Sequence, residues 1–295
     1  MYDIERYYQA ADVQDAVRAL AADPGAEVIS GGSDVLIKIR EGRLAGCSLV
    51  SIHGIRALQG VTRTADGAIV IGPATSFSHI TNHPVIRQYI PVLGQAVDLV
   101  GGPQMRNIGT IGGNVCNGVT SADSASTLMA LDAVMELTGP DGVREVPIGQ
   151  WYAGPGKTVR RHEELLTAIK ILPAAYRDFG GRYIKYGKRN AMEIATLGCA
   201  ALVRLEQDRK TVAALRLAYG VAAPNPVRCP QTEAAAVGRP LTEALLDAVA
   251  ACALSEVHPR DSWRASKEFR LQLVEELARR AVREAAIQAG GTFDA

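Results

Sequence analysis

Two glycine-rich segments carry the residue types that hold an anion. Ser30-Gly31-Gly32-Ser33-Asp34 follows a short apolar run, and Arg106-Asn107-Ile108-Gly109-Thr110-Ile111-Gly112-Gly113-Asn114 sits in a longer stretch poor in periodicity. Adjacent glycines remove Cβ atoms and admit positive φ, so successive backbone N–H groups can turn toward one anion. Ser33 and Thr110 add hydroxyl donors. Either segment alone reads more readily as a tight turn. Two of them with hydroxyls, the second inside the aperiodic positions 101–117, point to a functional pair able to hold a pyrophosphate.

Other chemistry-bearing residues are more ambiguous. Asp123 follows the second segment. Its carboxylate suits sugar-like hydroxyls, and it suits equally a helix N-cap for Ser124 to Leu131. Lys185 lies in a strand between Tyr183 and Tyr186. Such a lysine is usually solvated, but one aimed at a bound ring would stabilise negative charge developing there. His79 and His83 are four apart with no third metal ligand placed, and Pro84 follows directly. Gly156-Lys157-Thr158 mimics a phosphate loop, but the required earlier glycine is Trp151. No G-x-G-x-x-G and no G-x-S-x-G occurs, so neither a dinucleotide fingerprint nor a serine-hydrolase elbow is present. Cysteines 47, 116, 199, 229 and 252 are scattered without a C-x-x-C. A zinc ribbon or local iron–sulfur cluster is therefore not expected, and a reduced, cytoplasmic setting is.

The elements that must position these residues follow from pattern. Asp12 is placed to cap a helix with Val13, Ala16, Val17 and Leu20 on one face, ended at Pro24-Gly25. Strands are expected at Glu27–Ile29, Leu49–Ile52 and Ala68–Ile71. A helical stretch from Ser78 to Val100 is interrupted at Pro84 and Pro91. Strands follow at Ala133–Leu137 and Val143–Val146, joined by the turn 138–142, and at Leu165–Leu172. Tyr183–Lys188, Leu197–Leu205 and Val212–Val221 form three more. Beyond Pro226 the chain is helical, with Leu241, Leu245, Val249 and Cys252 on one face. Phe269, Leu273, Leu277 and Ala281 form a last stripe, with Glu275–Arg279 and Glu276–Arg280 surface pairs. Lys plus Arg total 32 and Asp plus Glu 31, a net charge of +1 that favours neither a nucleic-acid binder nor an acidic tail. No apolar run reaches membrane-span length, and the first residues are too polar for a signal peptide.

With those residues in place the chain resembles the FAD-binding subunits of molybdenum hydroxylases. The resemblance is carried by 30–36 (SGGSDVL), 102–118 (GPQMRNIGTIGGNVCNG) and 120–124 (TSADS). It continues through 185–189, 221–229 and 262–270. Within that family the chain most resembles the subunit of bacterial three-subunit xanthine dehydrogenases. The implied fold is α+β: a two-part FAD-binding fold of the vanillyl-alcohol-oxidase/PCMH type over 1–56 and 57–175. A C-terminal three-stranded antiparallel sheet with a helical bundle over 176–295 follows.

The resemblance also implies a site. Ile29, Ser30, Gly31, Gly32, Ser33, Asp34 and Val35 would hold the FAD pyrophosphate and touch the flavin. Thr110, Gly112, Gly113, Asn114 and Asn117 match pyrophosphate and ribityl contacts. Asp123 matches an acid on the sugar-like part, Leu166 an apolar residue under the isoalloxazine, and Lys185 a lysine at its pyrimidine edge. Ala122 stands where many relatives have Ser. No side chain acts as catalyst and no metal is bound by this chain. FAD, held non-covalently, would pass electrons from a partner [2Fe-2S] subunit to NAD+, while a molybdopterin subunit hydroxylates a purine. The assembly implied is a dimer of heterotrimers, with no nucleic-acid or membrane partner. Two alternatives are the same subunit in a carbon monoxide, aldehyde or N-heterocycle dehydrogenase, and a free-standing flavoprotein oxidase. A third is a non-enzymatic binding protein. The cysteine-rich insertion of 4-hydroxybenzoyl-CoA reductases is missing.

Overall fold

The computed structural model describes residues 2–293, and three sheets organise them. The first is parallel: β1 (Ile4–Gln9), β2 (Ala26–Ile29) and β3 (Cys47–Ser51) in the order β1-β3-β2, with helix α1 (Val13–Ala22) and the short helix α2 (Val35–Arg40) as crossovers. Asp12 caps α1 by accepting from the Asp15 amide at 2.8 Å. Ala16, Val17 and Leu20 are its buried face. The apolar run after the first glycine pair is thus helix, and it turns Lys38 back toward the chain's second glycine segment.

The second sheet is antiparallel, β4-β5-β10-β6-β7. Its strands are β4 (Val61–Arg63), β5 (Ile69–Ile71), β6 (Val134–Gly139), β7 (Gly142–Pro147) and, after the hairpin β8 (Tyr152–Gly154) and β9 (Lys157–Thr158), β10 (Leu165–Ile171). The phosphate-loop mimic lies in that small hairpin. Between β5 and β6 run α3 (Phe77–Asn82), α4 (Pro84–Tyr89), α5 (Pro91–Asp98), α6 (Pro103–Ile108), α7 (Ile111–Cys116) and α8 (Asp123–Ala130). Pro84, Pro91 and Pro103 each occupy a first helical turn, where the missing N–H costs nothing. The expected interruptions are therefore helix starts.

Positions 101–117 depart from the expectation of an aperiodic stretch, for they hold α6 and α7. Each is six residues long, under two turns, so no 3.6-residue apolar stripe can repeat within it. Asp123 is likewise not a cap. It is the first residue of α8, and Ala122 holds the capping position with no side-chain bond.

After α9 (Pro173–Tyr176) the third sheet pairs β11 (Gly180–Tyr186), β12 (Leu197–Leu205) and β13 (Val212–Gly220) antiparallel. The two-residue β14 (Val227–Arg228) is added at the edge. Helices α10 (Pro230–Ala236), α11 (Glu243–Ala253) and α12 (Lys267–Gln288) cover one face with Leu245, Val249, Leu273, Leu277 and Ala281 buried. On α12 the Glu276–Arg280 pair forms, but Glu275–Arg279 does not. Arg279 instead reaches Asp247 of α11 at 2.8 Å and ties the two helices together. The other face of the sheet lies on α5 and α8. The core of the second sheet therefore runs without a break into Tyr183, Ala200, Leu202 and Ala218.

Candidate functional site

A cleft of about 370 Å³ lies between the parallel sheet and the helices over the antiparallel one. One wall is the end of β2 and its turn into α2. The other is α6–α7, with Leu166 of β10, Phe77 of α3 and Val100 forming an apolar side. Thirteen of the fifteen expected site residues line it: Ile29 through Val35, Thr110, Gly112, Gly113, Asn114, Asn117 and Leu166.

The two walls are chemically unequal. In the first, the amides of Gly31, Gly32, Ser33, Asp34 and Val35 donate to no acceptor among the described residues. The Ser30 hydroxyl is buried there without a hydrogen-bond partner. Five consecutive free donors and an orphaned hydroxyl at a cleft wall are what an anionic group would satisfy, since buried polar groups are otherwise paired. Gly32 adopts φ +76°, the left-handed region that turns the strand into the helix. A Cβ at Gly31 would sit 1.9 Å from the Ile108 carbonyl oxygen, so this glycine lets the first loop touch the end of α6.

In the second wall the amides are consumed. Ile111 donates to Thr75 O, Gly112 to Pro73 O at 2.8 Å, Gly113 to the Thr110 hydroxyl at 3.2 Å and Asn114 to Thr110 O. The glycine pair serves packing on one side: a Cβ at Gly112 would lie 2.4 Å from the Pro73 Cβ. Gly113 is different. Its Cβ would meet only the Thr110 hydroxyl oxygen, at 3.1 Å, so a side chain there needs that helix-capping hydroxyl to give by a few tenths of an ångström and meets no backbone obstacle. The expectation of two amide cradles thus resolves into one cradle and one wall of side chains. Asn114 accepts from Ser124 at 2.7 Å and Asn117 from Lys38 at 2.8 Å, each through Oδ1, which leaves both amide NH2 groups without a partner among the described residues.

Asp123 and Lys185 lie outside the cleft lining, behind this wall. Asp123 accepts from the Tyr183 hydroxyl at 2.7 Å through one carboxylate oxygen and from Lys185 at 2.8 Å through the other. Lys185 also donates to Leu99 O at 2.9 Å, and its side chain is 8% exposed, not solvated. Burial pushes the Asp123 carboxyl above its ordinary range, against the pull of Lys185. Burial also raises the Tyr183 hydroxyl, so it stays a donor.

Sequence reasoning missed Lys38, Arg160, Phe77, Met105, Cys116 and Ile194 in the lining. Lys38 falls one helical turn after Asp34, a signal visible only once α2 is known to be a helix. Arg160 and Ile194 come from distant loops and carry no local signal. Arg160 is spent on the carbonyls of Arg161, His162 and Glu164. Cys116 is protonated, its thiol pushed up to about 11 by burial. His83 accepts from the Val85 amide and stacks on His79 at 5.3 Å, a helix-start arrangement.

Residues 2–175 match the FAD binding domain in molybdopterin dehydrogenase. Residues 182–285 match the CO dehydrogenase flavoprotein C-terminal domain. The chain is 42% identical, over 99% of both lengths, to the xanthine dehydrogenase FAD-binding subunit of Escherichia coli O157:H7, and 43% to the corresponding chain of strain K12. It is 28% identical to the carbon monoxide dehydrogenase medium chain of Hydrogenophaga pseudoflava, over 95% of this chain and 96% of that one. A solved structure of carbon monoxide dehydrogenase from the same organism superposes with a TM-score of 0.92 at 27% identity. It covers 98% of this chain and 99% of its own.

Proposed function

We propose that this chain, which belongs to the FAD-binding subunits of the molybdenum hydroxylases, is the electron-transfer subunit of a xanthine dehydrogenase that uses NAD+. It works in the cytoplasm beside a molybdopterin subunit and a [2Fe-2S] subunit, in a dimer of heterotrimers. Bound FAD supplies the step that couples one-electron carriers to a hydride acceptor. No side-chain acid or base is required for that step.

The chain's own residues bind and orient. The amides of Gly31 to Val35 hold the pyrophosphate, assisted by the Ser30 and Ser33 hydroxyls. The free NH2 groups of Asn114 and Asn117 face the ribityl chain. Ile29, Val35, Phe77 and Leu166 form a dry wall for the isoalloxazine. Asp123, Tyr183 and Lys185 fix α8 to β11 and set the position of that wall from behind. The flavin is held non-covalently, and burial keeps the Cys116 thiol in the lining protonated and a poor nucleophile. We take 1–56 and 57–175 as the two halves of the clasp and 176–295 as the unit that backs it.

The single observation that carries this reading is the run of unpaired amides at the cleft wall. A carbon monoxide or N-heterocycle enzyme is the second reading, favoured by the TM-score of 0.92 to carbon monoxide dehydrogenase. Co-expression with a molybdopterin subunit and an iron–sulfur subunit separates the two. The purified complex should form NADH with xanthine or hypoxanthine and not with carbon monoxide. Turnover of another heterocycle, or of carbon monoxide, moves the chain to the second reading. Turnover by this chain alone would make it a free-standing oxidase.

A further inference from the structure

A dinucleotide pyrophosphate carries two negative charges, and the cleft must neutralise them. Four charged residues line it: Glu27, Asp34, Lys38 and Arg160. Two of these are anions. The Arg160 guanidinium already serves three backbone carbonyls. Both cations lack an anionic partner among the described residues, but Lys38 alone reaches from one wall to the other. Among the described residues it makes no ion pair, and its one partner is the neutral amide oxygen of Asn117, 2.8 Å away. An ammonium has three donors and here uses one.

That one bond joins residues 79 positions apart. It runs from α2, which follows the free amides, to the end of α7, on the opposite wall. Lys38 therefore bridges the two walls of the cleft that the unsatisfied donors of the first loop also line.

We propose that Lys38 is the counter-charge of the FAD pyrophosphate, and that its bond to Asn117 clasps the first wall onto the second around the cofactor. This rests on the FAD reading above and names a binding residue for it. The two remaining Lys38 donors turn to phosphate oxygens while the third stays on Asn117. The charge is most effective there because the walls exclude part of the solvent.

The test titrates the full chain, stripped of flavin, with FAD and with riboflavin, which has the ring and ribityl chain but no phosphate. Flavin fluorescence quenching reads both, at low and high salt. Lys38→Met keeps the aliphatic stem. It should weaken FAD about tenfold or more and flatten the salt dependence of FAD binding, while riboflavin changes less than about twofold. Lys38→Arg should stay within a few fold of the parent for FAD and confirms that a loss in Lys38→Met is not misfolding. Asn117→Ala should lower affinity but keep the salt dependence. Equal losses for FAD and riboflavin in Lys38→Met, or an unchanged FAD affinity, overturn the assignment. A parent chain that binds neither flavin overturns the FAD reading itself.

Discussion

Replacing Gly31 by alanine tests how the cleft is built. The new Cβ would be 1.9 Å from the Ile108 carbonyl oxygen and 2.8 Å from its carbon, where real Cβ atoms almost never come within 3.0 Å. Both obstacles are backbone, so no rotamer change relieves them. The first loop and the end of α6 must separate by more than an ångström. Overpacking of this kind costs about 1–3 kcal/mol, and for a backbone clash we expect the upper end, about 3 kcal/mol. At about 2–4 °C per kcal/mol for a chain of this size class, the apo-protein should melt about 6–12 °C lower. The same displacement misaligns the loop amides. Losing two charge-assisted hydrogen bonds, at about 1.5 kcal/mol each, weakens FAD about 100-fold. Differential scanning fluorimetry reads the first effect and FAD titration the second. Gly149→Ala is the control, since a Cβ there has open space and the backbone needs no positive φ. A Gly31→Ala protein with parental melting temperature and FAD affinity would refute the close approach of the two loops.

Three further outcomes follow from other parts of the molecule. Gly113→Val should fold with a melting temperature only modestly below the parent's, because a Cβ there meets only the Thr110 hydroxyl that caps α7, at 3.1 Å, and no backbone atom. It should nonetheless lose FAD at least about tenfold as the side chain enters the ligand's space; a large drop in melting temperature would show that the glycine is structural. Lys185→Met leaves Asp123 buried opposite Tyr183 alone, so the chain should lose about 3 kcal/mol. Adding Asp123→Asn should return part of that in denaturant melts, and a double variant no better than the single argues against the buried pair. Glu164 is pushed up by burial but pulled down further by the Arg144 guanidinium and the Arg161 amide, so its folded pKa lies below the ordinary value. Its contribution is therefore present above the unfolded pKa of about 4.3 and lost as pH falls through the folded one. Melting temperature measured from pH 6 down to pH 3 should fall less steeply below about 4.3 in Glu164→Gln than in the parent, and parallel curves would rule the pair out as the cause.

Much of this architecture was legible because it rests on local signals. Asp12 marks the first helix, Pro84 and Pro91 mark breaks that prove to be helix starts, and the alternating and continuous apolar runs mark strands in all three sheets. What escaped was too short to be periodic. Helices α2, α6 and α7 are six residues each, and β4 and β14 are three and two. Their existence depends on tertiary contacts such as Gly112 against Pro73 and Gly31 against Ile108. The same limit applies to the site. The glycine segments announced it, yet spacing could not say that one segment's amides are free and the other's are bonded inward. It also could not place Lys185. A lysine between two tyrosines on a strand gives no hint that its ammonium ends on a carboxylate 62 residues earlier. No helix among the described residues is long and apolar enough to cross a membrane.

The most direct measurement is the cofactor content of the full chain purified under native conditions. One FAD per chain, released into solution by heat or acid and rebound on renaturation, is the result predicted if the free amides of Gly31 to Val35 hold the cofactor without a covalent bond. A colourless protein that takes up no FAD when titrated would contradict the account.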